Sequence, residues 1–154
     1  MIKRSNDRVW IRFGTGPYYR MGQGFTHLQE ACKTTLLETP HVNSPFCTHE
    51  ILYHTAFLEF EGYRLSDNLI HKGLLERYLK RGEEAAVTVI LGSSTDKMSE
   101  EAILARRAEG YVCLENPGSG EGPFGTHFKG KIIFATEPEK GVFNETTQNF
   151  ISYA

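Results

Sequence analysis

The chain has 154 residues, 40% of them hydrophobic and 23% charged, with a formal net charge of −2. This length suits one globular domain, residues 1–154, with a sizeable core. The charge balance gives the chain as a whole no attraction to nucleic acid or to an acidic membrane surface. There is no apolar run long enough to cross a bilayer and no signal-peptide pattern. Three cysteines, an odd number, argue against a disulfide framework and for a reducing, cytoplasmic or other intracellular setting.

Residues 1–7 are polar and read as an arm or loop. Val9, Ile11 and Phe13 alternate with Trp10 and Arg12, a strand pattern. Gly14 to Pro17 reads as a turn, and Tyr18 to Met21 as the returning arm of a hairpin. Thr26 to Gln29 has the form of a capping box. Leu28, Ala31, Cys32, Thr35 and Leu36 then recur at helical spacing, which predicts a helix with Cys32 buried and inert on its apolar face, ending at Thr39-Pro40. Residues 40–48 form a loop, and Ile51 to Phe60 reads as a long strand with Glu59 and Glu61 on one face.

Ser66 to Asn116 carries the strongest local signals. Ile70, Leu74 and Tyr78 fall on one stripe of a helix predicted from Ser66 to Arg81, with Gly82 as its stop. Ala86 to Leu91 is an apolar run that fits a buried strand. Met98, Ala102 and Ala105 share one side of a second helix, from about Lys97 to Glu109, and Tyr111 to Leu114 reads as a strand. Together residues 86–115 predict a right-handed strand–helix–strand crossover. Leu74, Val89, Ile90 and Leu104 are the expected core positions. Lys131 to Thr136 is a strand, and Val142–Phe143 and Asn149 to Tyr153 are short ones. The expected fold is α+β: one mixed sheet of about five or six strands carrying three helices.

The stretch VTVILGSSTDKMSEEA, Val87 to Ala102, resembles the first strand, loop and helix of the PurE-type aminoimidazole ribonucleotide carboxymutases. The resemblance covers about a tenth of the chain and lies past its midpoint, whereas that family opens with it. The family's downstream Ser-Ala-His-Arg stretch is absent here, so the resemblance is one of strand–turn–helix grammar and transfers no residue roles.

Four places offer chemistry. Residues 27–54 hold four of the six histidines and two of the three cysteines. His27 and Cys32 would point about 140° apart on a helix, which leaves His41, Cys47 and His49 as the geometrically sensible zinc ligands. Ser93, Ser94 and Thr95 would sit at a helix start and could hold an anion there, or simply cap the helix. Glu59 and Glu61 form a carboxylate pair that suits acid–base work, cation binding or a solvated face. The glycine-rich loop PGSGEGPFG, Pro117 to Gly125, leads to His127.

That loop supports two readings. In the first it is held by a neighbouring subunit, with Phe124 as anchor between Gly122 and Gly125. The chain is then a non-enzymatic structural, assembly or binding protein: a component of a viral or other multi-subunit particle, partnered by copies of itself or by other protein subunits. Aromatic residues, at 12%, supply contact surface for this. In the second the loop is a lid, the chain is a small hydrolase or transferase, and His127 is its acid–base group. No cofactor is called for unless the histidine–cysteine cluster takes zinc.

Overall fold

The computed structural model describes residues 7–22, 24–63, 68–97, 102–117 and 127–153. Its strands are β1 (Asp7–Phe13), β2 (Tyr19–Arg20), β3 (Phe25–Thr39), β4 (Thr48–Tyr63), β5 (Ala86–Lys97), β6 (Ala102–Pro117), β7 (His127–Phe134), β8 (Glu139–Asn144) and β9 (Asn149–Ser152). One α-helix, α1 (Leu69–Tyr78), and one 3-10 turn, Gly82–Ala85, complete the described elements. The strands run in the order β2-β1-β5-β6-β7-β4-β3, and β8 and β9 branch off β6. Every recorded pairing is antiparallel.

This corrects the α+β expectation of three helices and five or six strands. Two of the expected helices are strands. Residues 25–39 pair along their length with β4. The capping-box helix fails because its helical spacing competes with a strand face broken at Glu30. Leu28 points into the core, but Glu30 shares that face and meets Arg106 from across the sheet. The inward polar residue masks the period of two. The predicted strand–helix–strand crossover over residues 86–115 is likewise an antiparallel pair: Ala86 to Gly92 lies against Gly110 to Tyr111 and back to Ala105. Alanine, glutamate and arginine favour helix there, yet β6 is bonded to β5, β7 and β8, and tertiary pairing overrides propensity.

The helix over residues 66–81 survives in shorter form. Asn68, rather than Ser66, caps it, accepting from the backbone N–H groups of Ile70 and His71 at 2.9 and 3.1 Å. The helix stops at Tyr78 with Leu79 as C-cap, short of the expected stop at Gly82, which at φ +63° instead opens the 3-10 turn, a conformation glycine takes without strain.

The sheet curls around a core made by Val9, Ile11, Leu58, Leu74, Val89 and Phe128, among others. Helix α1 covers one end of it. His71 is buried there between Phe25 and Phe128, ring centroids 4.9 and 4.8 Å away, and Gly73 leaves room for the Phe13 ring, which an added Cβ would meet at 2.5 Å. A second cluster, Trp10, Tyr18, Ile90, Ile103 and Phe143, fills the space under β8 on the outer face. Leu74, Val89 and Ile90 are core residues as expected, but Leu104 is 39% exposed, because on β6 it points to the open end of the curl rather than to its middle. Cys32 is exposed as well, not buried: it lies on the Leu28 face of β3 but beyond the end of the core.

Candidate functional site

Strands β3 and β4 are much longer than the sheet that supports them. β7 pairs with β4 only from Phe57 to Tyr63. From Thr48 to Ala56, β4 has β3 alone as partner, and the two continue as a ribbon whose tip is residues 40–47. At ~3.3 Å per residue this ribbon projects about 30 Å beyond the core. β3 ends the strand order, so its outer edge has no strand partner among the described residues.

The ribbon carries exposed apolar side chains on both faces. Leu36 and Leu37 are adjacent, so their side chains point to opposite sides, and they are 47% and 44% exposed. Ile51, Leu52 and Tyr53 repeat this on β4, and Val42 and Phe46 stand exposed at the tip. Isolated two-stranded ribbons are marginal in water, and contiguous exposed apolar surface marks an interaction site.

Below the ribbon, the outer face of β3, β4 and β7 carries a ladder of cross-strand charges. His127 Nε2 lies 2.6 Å from Glu61, His27 4.0 Å from Glu59, and Lys129 3.7 Å from Glu115. Lys131 sits over the Phe57 ring at 5.2 Å. The carboxylates Glu59 and Glu61 therefore share a face as expected, each with a histidine partner. The hydrogen bond from His127 holds the Glu61 carboxyl below its ordinary value of 4.5. A carboxylate depressed in the folded state stabilises the fold above its unfolded pKa, and that contribution disappears as pH falls through the folded value. Thermal melts of Glu61→Gln should accordingly show a smaller acid-side loss than wild type below pH ~4.5, and the two should share one profile if the pair contributes nothing.

The other expected site residues fall in three places. His41, Cys47 and His49 lie at the ribbon tip, where His41 hydrogen-bonds to Thr48 and His49 faces Glu38 at 3.5 Å. Among the described residues, no group of three or more histidine, cysteine or acidic side chains is placed to hold a metal ion. The backbone of Ser93, Ser94 and Thr95 runs within β5, so the helix start imagined for an anion there does not exist. Phe124, Gly122 and Gly125 lie outside the described residues, so the anchored-loop and lid readings have no geometry here; His127 opens β7 beyond them. Sequence reasoning misses the ribbon because Leu36 falls at helical spacing with Leu28, Ala31, Cys32 and Thr35 and is read as part of a buried helical face. The apolar pairs Leu36–Leu37 and Ile51–Leu52, set on either side of the Pro40 to Pro45 loop, were the available signal.

No protein-family model matches the chain, and neither does any curated protein sequence. Among solved structures the chain is similar to the crystal structure of Hcp1 from Salmonella typhimurium, with a TM-score of 0.44, 10% identity, and coverage of 95% of this chain and 99% of that one. A likeness this slight carries no inference about function. Nothing in these comparisons points to a virus particle. No described helix is long and apolar enough to cross a membrane, which says nothing of spanning by strands.

Proposed function

We propose that the chain is a non-enzymatic structural subunit that assembles with copies of itself through the β3–β4 ribbon. The observation that carries this is the ribbon's exposed leucine, isoleucine and aromatic side chains on both faces, held about 30 Å out on a two-stranded support. A free monomer gains nothing by exposing it, whereas a neighbour that clasps it buries apolar area on two sides.

A matching surface exists at the other end of the same subunit. Leu69, Tyr78 and Leu79, at the two ends of α1, are 59%, 41% and 78% exposed. The ribbon leaves the end of the curled sheet opposite α1, so ribbon and helix patch face away from each other. Ribbon-to-helix docking is therefore head-to-tail. Such heterologous contacts close into a ring when the rotation between neighbours allows, and otherwise grow as a filament.

Cys47, exposed at the tip, makes this testable. With Cys32 and Cys113 changed to serine, a photo-crosslinker on Cys47 should form intermolecular products that map to residues 68–82. Crosslinks confined to the same chain, or tip-to-tip products alone, would sink the head-to-tail arrangement.

A further inference from the structure

The ribbon is joined to the body of the subunit by few links. Among the described residues β3 pairs with β4 alone, and β4 has β7 beside it only from Phe57 to Tyr63. Glu30 lies opposite Leu58, just inside that limit and so at the root of the ribbon. Its side chain meets Arg106 of β6. Arg106 stands past the end of β7, which accompanies β6 only from Gly110 to Pro117. The pair therefore links the edge strand to β6 directly, although β4 and β7 lie between them in the strand order.

Toward the tip from Glu30, the side-chain contacts of β3 stay inside the ribbon. Thr34 bonds to His54 at 2.9 Å and Glu38 faces His49 at 3.5 Å, each time from β3 to β4. Among the described residues, Arg106–Glu30 is thus the outermost polar tie of β3 to the body. It is also directional. Two terminal nitrogens of Arg106 donate to the two Glu30 oxygens at 2.8 and 2.5 Å, a planar fork that fixes orientation as well as distance. The same hydrogen bonds hold the Arg106 guanidinium above its ordinary pKa. The two side chains are still 40% and 33% exposed, so the pair adds little to folding stability. What the fork supplies is geometry.

We propose that Arg106 and Glu30 are positioning residues for assembly: their ion pair fixes the angle at which the ribbon leaves the body, and so the rotation between docked neighbours. This rests on the reading that the ribbon is the docking element. A swing of about 10° at the root carries a tip about 30 Å out through about 5 Å, roughly one strand spacing. That displacement is enough to lose the register of a docked side chain. Head-to-tail contacts close only when the rotation between neighbours fits, so a ribbon free to swing gives mixed sizes. It also weakens each contact, because the ribbon must then be ordered on docking.

Spin labels on the chain's own cysteines test it. Cys32→Ser leaves Cys47 at the ribbon tip and Cys113 on β6, both exposed. Pulsed dipolar spectroscopy on the full chain, diluted with unlabelled protein, then reads the tip-to-body distance within one subunit. This parent should give one narrow distribution, and Glu30→Gln should broaden it by about 5 Å or more. The exchanged pair, Glu30→Arg with Arg106→Glu, should narrow it again. In sedimentation velocity Glu30→Gln should assemble about tenfold more weakly and into mixed sizes, and the exchanged pair should recover. An unchanged distance distribution in Glu30→Gln overturns the proposal. So does a distribution that stays broad in the exchanged pair, or assembly that is unaffected by the broadening. A parent that never assembles, yet broadens on Glu30→Gln, defeats the assembly reading and leaves the pair's hold on the ribbon standing. If Glu30→Gln does not fold, Arg106→Gln cuts the same pair from the other side and is read in the same way.

Discussion

Trp10→Ala should cost about 3–5 kcal/mol, among the largest single-site losses available in this chain. Trp10 is 1% exposed on β1. Its ring lies 4.9 Å from that of Phe143, which also meets Tyr18 at 5.3 Å edge-on. Its indole N–H donates to Glu145 at 3.2 Å. On its far side Gly92 gives it space; a Cβ there would stand 3.3 Å from the indole and 2.6 Å from Ile103. The indole therefore ties β1 and β5 to the β8–β9 layer, which is otherwise attached mainly through β6. Truncation removes the aromatic contacts, opens a cavity that the surrounding strands cannot collapse into, and leaves Glu145 without its donor. Denaturant melts should show the midpoint falling with the slope unchanged. A loss below about 1 kcal/mol would mean that the outer cluster is not a second core.

The second large effect concerns association rather than folding. Phe46→Asp combined with Ile51→Asp places charges on two ribbon positions that are 77% and 59% exposed. Neither side chain belongs to a core cluster, so the subunit's own stability should change by no more than about 0.5 kcal/mol. Interface anchors each carry about 2 kcal/mol or more, so losing one weakens self-association by about 30-fold and losing both by up to about 1,000-fold. A variant that dissociates but keeps its unfolding midpoint separates a docking role from a folding role. A variant that unfolds early instead would show that the ribbon stabilises its own subunit.

Much of the strand content was legible. The alternation in β1, the apolar run in β5 and the β-branched stretch in β7 all sit where the sequence places them, because each buries a regular face. Helix α1 was legible for the same reason, with Ile70 and Leu74 on one buried stripe, although it ends at Tyr78, short of Gly82. Residues 25–39 and 97–109 were not. Both contain spacings that suit a helix as well as a strand, and the partners that decide between them are distant in sequence. β4 settles the first, while β5 and β8 settle the second. Arg106 and Arg107 show the consequence. Read on a helix they form one solvated patch. On a strand they point to opposite faces, Arg106 to Glu30 and Arg107 to Glu139 at 2.9 Å. The Arg106–Glu30 pair was invisible for that reason, since it joins β6 to β3. The assembly reading was reached from the sequence, but through Phe124; the surface that now supports it is the ribbon.

The mass of the native particle tests the central claim most directly. Sedimentation velocity of the full chain over a wide concentration range should show species well above the 17.4 kDa of one chain, forming a discrete ring-sized boundary or a growing filament series. A single boundary at the monomer mass at every concentration would contradict assembly through the ribbon.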